Sequence, residues 1–152
     1  MLRFEQAKDV IEYCAKLHHQ IGEFYEELGE EVAQERVKML LTYLSRHEIH
    51  LEESLKEYEA DASERILNTW LQFAPSSGIE ASIKAFKLNP EMSVDEVVDK
   101  TIEFDDSLIA LYKEVINETS EPSVQAVFEN LVAMESKEKV KMVRNAMMLK
   151  EI

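Results

Sequence analysis

The chain has 152 residues, 45% of them hydrophobic and 32% charged, with only three Gly and three Pro; that balance suits long helices and short loops and argues against a turn-rich β sandwich. A chain of about this length can bury roughly two-thirds of its unfolded surface, enough for one full core, so a single domain is expected over 1–152. Seventeen basic against 31 acidic residues leave a formal charge of −14, a field that repels phosphate backbones and anionic lipid surfaces and makes nucleic acid and membranes unexpected partners.

The first ten residues, MLRFEQAKDV, lack the apolar stretch of a secretion signal, and no run approaches the roughly 18 apolar residues of a spanning helix, so a cytoplasmic protein is expected. Over 4–28, Val10, Cys14, Leu17, Ile21, Phe24 and Leu28 recur at alternating fours and threes, which predicts a helix with one apolar face. Cys14 has no partner for a disulfide and reads as a small buried thiol. Gly29 offers a stop, and a second helix follows over about 31–60 with Val37, Leu40, Leu44, Leu51 and Leu55 inward. The short loop between them allows only an antiparallel hairpin.

Pro75, Gly78 and the Asn89-Pro90 pair then break the pattern over about 61–92. Asp61 followed by Glu64 resembles a capping box for a short helix carrying Ile66, Leu67, Trp70 and Leu71, and a second short helix is expected over 79–86. Ser93 and Glu96 form another capping box, opening a third long helix that runs to about 118. Pro122 and Ser123 open a fourth, to about 149. The expected fold is all-α: a four-helix bundle of two antiparallel hairpins joined by a long crossover, the connectivity of ferritin-like bundles.

The halves are related. A shift of 87 lays Val10, Leu17, Ile21 and Tyr25 on Val97, Phe104, Leu108 and Tyr112, and a shift of 88 lays Leu40 and Leu44 on Phe128 and Val132, although it also lays Leu51 on Lys139. The same shifts lay His18 on Asp105, His47 on Glu135 and His50 on Glu138, six residues that can all ligate metal. Glu135 and Glu138 interrupt an apolar seam running from Val124 to Met142. Buried carboxylates cost several kcal/mol each unless something neutralises them.

On these residues the chain resembles the rubrerythrin-type di-metal carboxylate proteins of the ferritin-like superfamily, in which one helix of each hairpin gives a Glu and the other gives Glu-x-x-His. The resemblance implies metal ligation by His18, His47, His50, Asp105, Glu135 and Glu138, with Tyr25 and Tyr112 behind them, each seven residues beyond a single-ligand position. The implied cofactor is a divalent transition metal: Fe, Zn, Mn or Ni. The implied function is metal handling or a rubrerythrin-like oxidation–reduction. The ligand set would be His-rich, three imidazoles and three carboxylates, without the family's bridging glutamates. The alternative is a metal-free assembly module in which protonated histidines pair with the carboxylates. Either form is expected to be a homodimer, through the crossover or the methionines near the C-terminus. Met134, Met142, Met147 and Met148 read as core or interface filler, and His19, about 100° around the helix from His18, reads as solvent-exposed.

Overall fold

In the computed structural model, residues 2–76 and 78–151 are described. They form, in chain order, β1 (Phe4–Gln6), α1 (Ala7–Gly29), α2 (Glu35–Asp61), α3 (Glu64–Leu67), β2 (Trp70–Phe73), α4 (Ile79–Ala85), α5 (Val94–Glu118) and α6 (Pro122–Lys150). The four long helices are the four expected. Ser93 caps α5 as its sequence foretells: its hydroxyl accepts from the Glu96 amide at 3.2 Å, and the Glu96 carboxylate accepts from the Ser93 amide at 3.3 Å. Pro122 occupies the first turn of α6, where its missing N–H costs nothing.

Side-chain contacts fix how the helices run. The Ser45 hydroxyl donates to the Gly22 carbonyl, joining α1 and α2 as an antiparallel pair. Gln125 of α6 donates to the Ile116 carbonyl of α5, and Lys150 of α6 reaches Asp95 of α5, so that pair is antiparallel too. Asn130 and Asn145 of α6 donate to Tyr58 and Tyr43 of α2, and Tyr25 of α1 bonds Thr101 of α5. The order around the bundle is therefore α1, α2, α6, α5, each antiparallel to its neighbours. The two diagonals are parallel, so the chain must travel the full length of the bundle between α2 and α5. That journey occupies the crossover.

The crossover holds one element the sequence did not announce. Residues 70–73, expected to continue a short helix, instead pair antiparallel with β1, Phe4 opposite Phe73 and Gln6 opposite Trp70, with an irregularity between. Gln72 takes a positive φ of 46° there. The all-α expectation thus holds for the bundle and needs correcting at its end, where a two-stranded ribbon forms. Phe4 is drawn into it by burial against Phe73 and an edge contact with Tyr13. Asp61 does not cap α3; it is the last residue of α2, and Ser63 takes the cap position. The start of α2 also falls later than expected, because residues 30–34 are spent on the turn.

Burial corrects the register between the halves. Val37, Leu41, Leu44, Glu48 and Leu55 of α2, and Val124, Phe128, Leu131, Glu135 and Met142 of α6, are all buried. Those two sets are 87 residues apart, the same shift that relates α1 to α5. The shift of 88 for the second pair is one residue too long. Glu48, not His47, is the counterpart of Glu135, and Leu51 is the counterpart of Glu138.

Candidate functional site

Four ionisable side chains, one from each long helix, meet at mid-bundle with essentially no exposure: His18, Glu48, Asp105 and Glu135. His18 lies at their centre. Its Nδ1 is 2.5 Å from Glu48 Oε2 and its Nε2 is 2.9 Å from Glu135 Oε1. The Phe104 ring stands edge-on to the imidazole at 6.0 Å. The Tyr112 hydroxyl donates to the same Glu135 oxygen at 3.3 Å and hydrogen-bonds the Cys14 thiol on its other side. A continuous polar chain, Cys14–Tyr112–Glu135–His18–Glu48, thus crosses an otherwise apolar core.

What remains unpaired is as informative as what is paired. Glu48 Oε1, Glu135 Oε2 and both oxygens of Asp105 are buried without a hydrogen-bond partner. Removing a carboxylate from water without compensation is costly, so such groups either take up a proton or hold a cation. Burial drives the Asp105 carboxyl well above the usual carboxylate range, and the negative neighbours Glu48 and Glu135 push it further. Burial likewise raises Glu48, against the opposing pull of His18. For His18, burial alone would favour the neutral ring, but Glu135 and Glu48 outweigh it and hold the imidazole pKa well above 6.5. Cys14 and Tyr112 are pushed up by burial and stay protonated.

The other candidate residues divide around this cluster. His47 is buried at its edge, stacked on Tyr43 at 6.0 Å, with Nε2 unpartnered; burial and the nearby His18 lower its pKa to about 4, so the ring is neutral. His50 does not enter the core. It is 57% exposed, and its Nε2 stops 3.8 Å from Glu138, a carboxylate at the cluster's rim. Tyr25 is buried with its hydroxyl on Thr101 at 2.8 Å, while Tyr112 touches the cluster directly. His19 is half exposed, as expected, and bridges the exposed Glu23 and the buried Glu52. The core set is therefore one imidazole and three carboxylates, not the His-rich set the sequence suggested. The one-residue register error puts His47 in the place of Glu48; the signal against it lies at Val37, which the shift of 88 lays on Gln125 and the shift of 87 on Val124. Among the described residues no three His, Cys, Asp or Glu side chains converge closely enough to hold an ion as they stand, and both ring nitrogens of His18 are engaged by carboxylates.

No family model matches the chain, and no curated protein matches it. Its fold does have a solved counterpart: a crystal structure from Thermotoga maritima, assigned as a ferritin-like diiron-carboxylate protein, superposes over 95% of both chains with a TM-score of 0.57 at 17% identity. This chain therefore has the ferritin-like fold. Among the described residues no helix is long and apolar enough to cross a membrane.

Proposed function

We propose that this chain is a metal-binding ferritin-like protein whose mid-bundle cluster takes a divalent transition metal on Glu48, Asp105, Glu135 and His18. The observation carrying this reading is the set of four partnerless carboxylate oxygens buried at one level of the bundle. The positions match the family arrangement closely: His18 and Asp105 stand at the single-ligand places, and Glu48 and Glu135 at the glutamates of the two paired motifs. Both of those glutamates are thus present, contrary to the sequence reading; the departures are His18 and Asp105 where the family has Glu, and Leu51 and Glu138 where it has the paired histidines. Three carboxylates to one imidazole suit iron or manganese better than zinc or nickel, and the diiron-carboxylate assignment of the structural neighbour points the same way.

A bound ion would supply Lewis acidity or, for iron or manganese, electron exchange. The chain's own groups have definable tasks. His18 must give up a hydrogen bond to Glu48 or Glu135 to present a nitrogen, Asp105 offers two unused oxygens, and Tyr112 orients Glu135 through its hydroxyl. A rubrerythrin-like oxidoreductase or metal-handling role in the cytoplasm is the finer form of this reading.

One observation favours a second reading. His18 is already paired on both sides, so a protonated imidazole can balance the carboxylates without metal, leaving a bundle that serves assembly alone. Elemental analysis after reconstitution with Fe(II), Mn(II) or Zn(II), together with thermal melts, separates the two. The metal reading expects about one to two ions per chain and a rise in Tm, since a ligand at a hundredfold excess over its Kd stabilises by about 2.7 kcal/mol. Glu48→Gln, which copies the protonated carboxyl, should fold normally and lose that rise. Wild type that retains no metal and melts identically in metal and in chelator would leave the charged cluster as the whole story.

A further inference from the structure

We propose that the exposed face of α2 around Thr42 is a twofold interface on which a second copy of this chain docks. Lys38, Thr42 and Arg46 follow one another at four-residue steps and stand as a solvent-facing ridge. A groove of about 350 Å³ lies between that ridge and α1, bordered on the far side by Glu26 and Glu30. A second groove of about 510 Å³ lies between the ridge and α6, lined by Met39, Tyr43 and Leu149. A ridge flanked by grooves is the relief that helices use to pack on one another, and Met39 and Ile49, 42% and 40% exposed, supply apolar surface at its two ends.

Charge identifies the occupant. Glu26 and Glu30 form one bank of the α1 groove and Lys38 and Arg46 the other, yet among the described residues none of these four joins an ion pair within the chain. A purely acidic or purely basic partner would meet repulsion from one bank. A closed twofold dimer presents the same patch from both sides, so the patch must carry both members of each complementary pair. This one does. Gly29 packs on Leu41, which puts Glu30 near the level of Lys38; two antiparallel α2 ridges crossing at Thr42 then set Arg46 of each copy opposite the Glu30 level of the other. Each like-charge approach of Lys38 to Arg46 is relieved by Glu30, the residue just beyond the end of α1. A body carrying −14 needs such local complementarity to meet its own copy, because the long-range field opposes the encounter.

The test is sedimentation velocity of the full chain at about 100 µM, where an interface of micromolar Kd is filled. Wild type should sediment as a dimer. Arg46→Glu and Glu30→Arg, both at exposed positions that leave helicity unchanged by circular dichroism, should each raise the dimer Kd by about tenfold or more. An equimolar mixture of the two variants should recover the dimer, since a copy acidic at both positions then faces a copy basic at both. Lys113→Glu, an exposed change on α5, should leave the dimer intact. A monomeric wild type, a dimer that persists in Arg46→Glu, or a mixture that stays monomeric would each overturn the proposal.

Discussion

His18 sets the proton balance of the core, and the consequence is measurable. Its folded pKa is raised, so the stability it contributes is fully present below the unfolded value of about 6.5 and is lost as pH rises through the folded value. Asp105 and Glu48 are raised as well, so their contribution is present below the unfolded carboxylate range of about 4 and is lost as pH rises above it. All three shifts have the same sign. His47, lowered to about 4, works the other way, and its contribution grows with pH up to its unfolded value near about 6.5. Above about pH 7 that opposing effect is complete, so chelator-treated protein should melt progressively lower towards alkaline pH, and Asp105→Asn should flatten that slope. Metal displaces protons, so the gain in Tm from added metal should grow with pH over the same range; a chelator-treated Tm that climbs from about pH 7 to 9, above the unfolded histidine value, would contradict the assignment of protons to this cluster. The sequence disclosed His18, Asp105 and Glu135 because each interrupts an apolar stripe. It did not disclose Glu48, because α2 buries a wide arc that includes Leu44, Ser45, His47, Glu48, Leu51 and Glu52, and within so wide an arc periodicity cannot choose between adjacent positions.

At the scale of elements, the close approach of α1 and α2 is what brings Glu48 to His18. Gly22 permits it: a Cβ at that position would come within 3.3 Å of Glu48 Cβ and 3.4 Å of the Ser45 carbonyl. Gly22→Val should cost about 1–3 kcal/mol through overpacking, read from urea midpoints, and should weaken any metal uptake because it displaces the helix turn that carries Glu48. The long helices were legible because their boundaries are marked by strong local chemistry, Ser93 with Glu96 and Pro122 above all. The ribbon was not. Strands of three and four residues are too short to show alternation, and the pairing of Phe4 with Phe73 is a contact between segments far apart in the chain that no local window contains.

For the molecule as a whole, the ferritin-like arrangement followed from a simple constraint: two hairpins of nearly equal length with a crossover of about thirty residues between them. The ribbon adds a fastening to that plan. Phe4 is buried between the start of α1 and β2, and Phe4→Ala should cost about 3–5 kcal/mol, measured as a fall in the denaturation midpoint, with lost protection of the amides around Trp70 in hydrogen exchange. A loss well below 1 kcal/mol would mean that the ribbon is incidental to the bundle.

The same ribbon gives the chain an order of assembly. The α1–α2 hairpin is made of contacts between sequence neighbours, and β1 with β2 then joins its two outer ends, closing the segment from residue 4 to 73 on itself. Loop-closure entropy rises only slowly with length, so this clasp costs little once the hairpin has formed. Among the described residues the second hairpin has no strand pairing of its own, and its docking waits on the longest chain excursion in the fold, the kind of non-local step that slows folding. Until it docks, Glu48 and His18 have each other, Glu135 has Tyr112 of its own hairpin, and Asp105 has only water. The last event in folding is therefore also the one that dehydrates the carboxylates, and the late rate should carry the electrostatic cost of building the core.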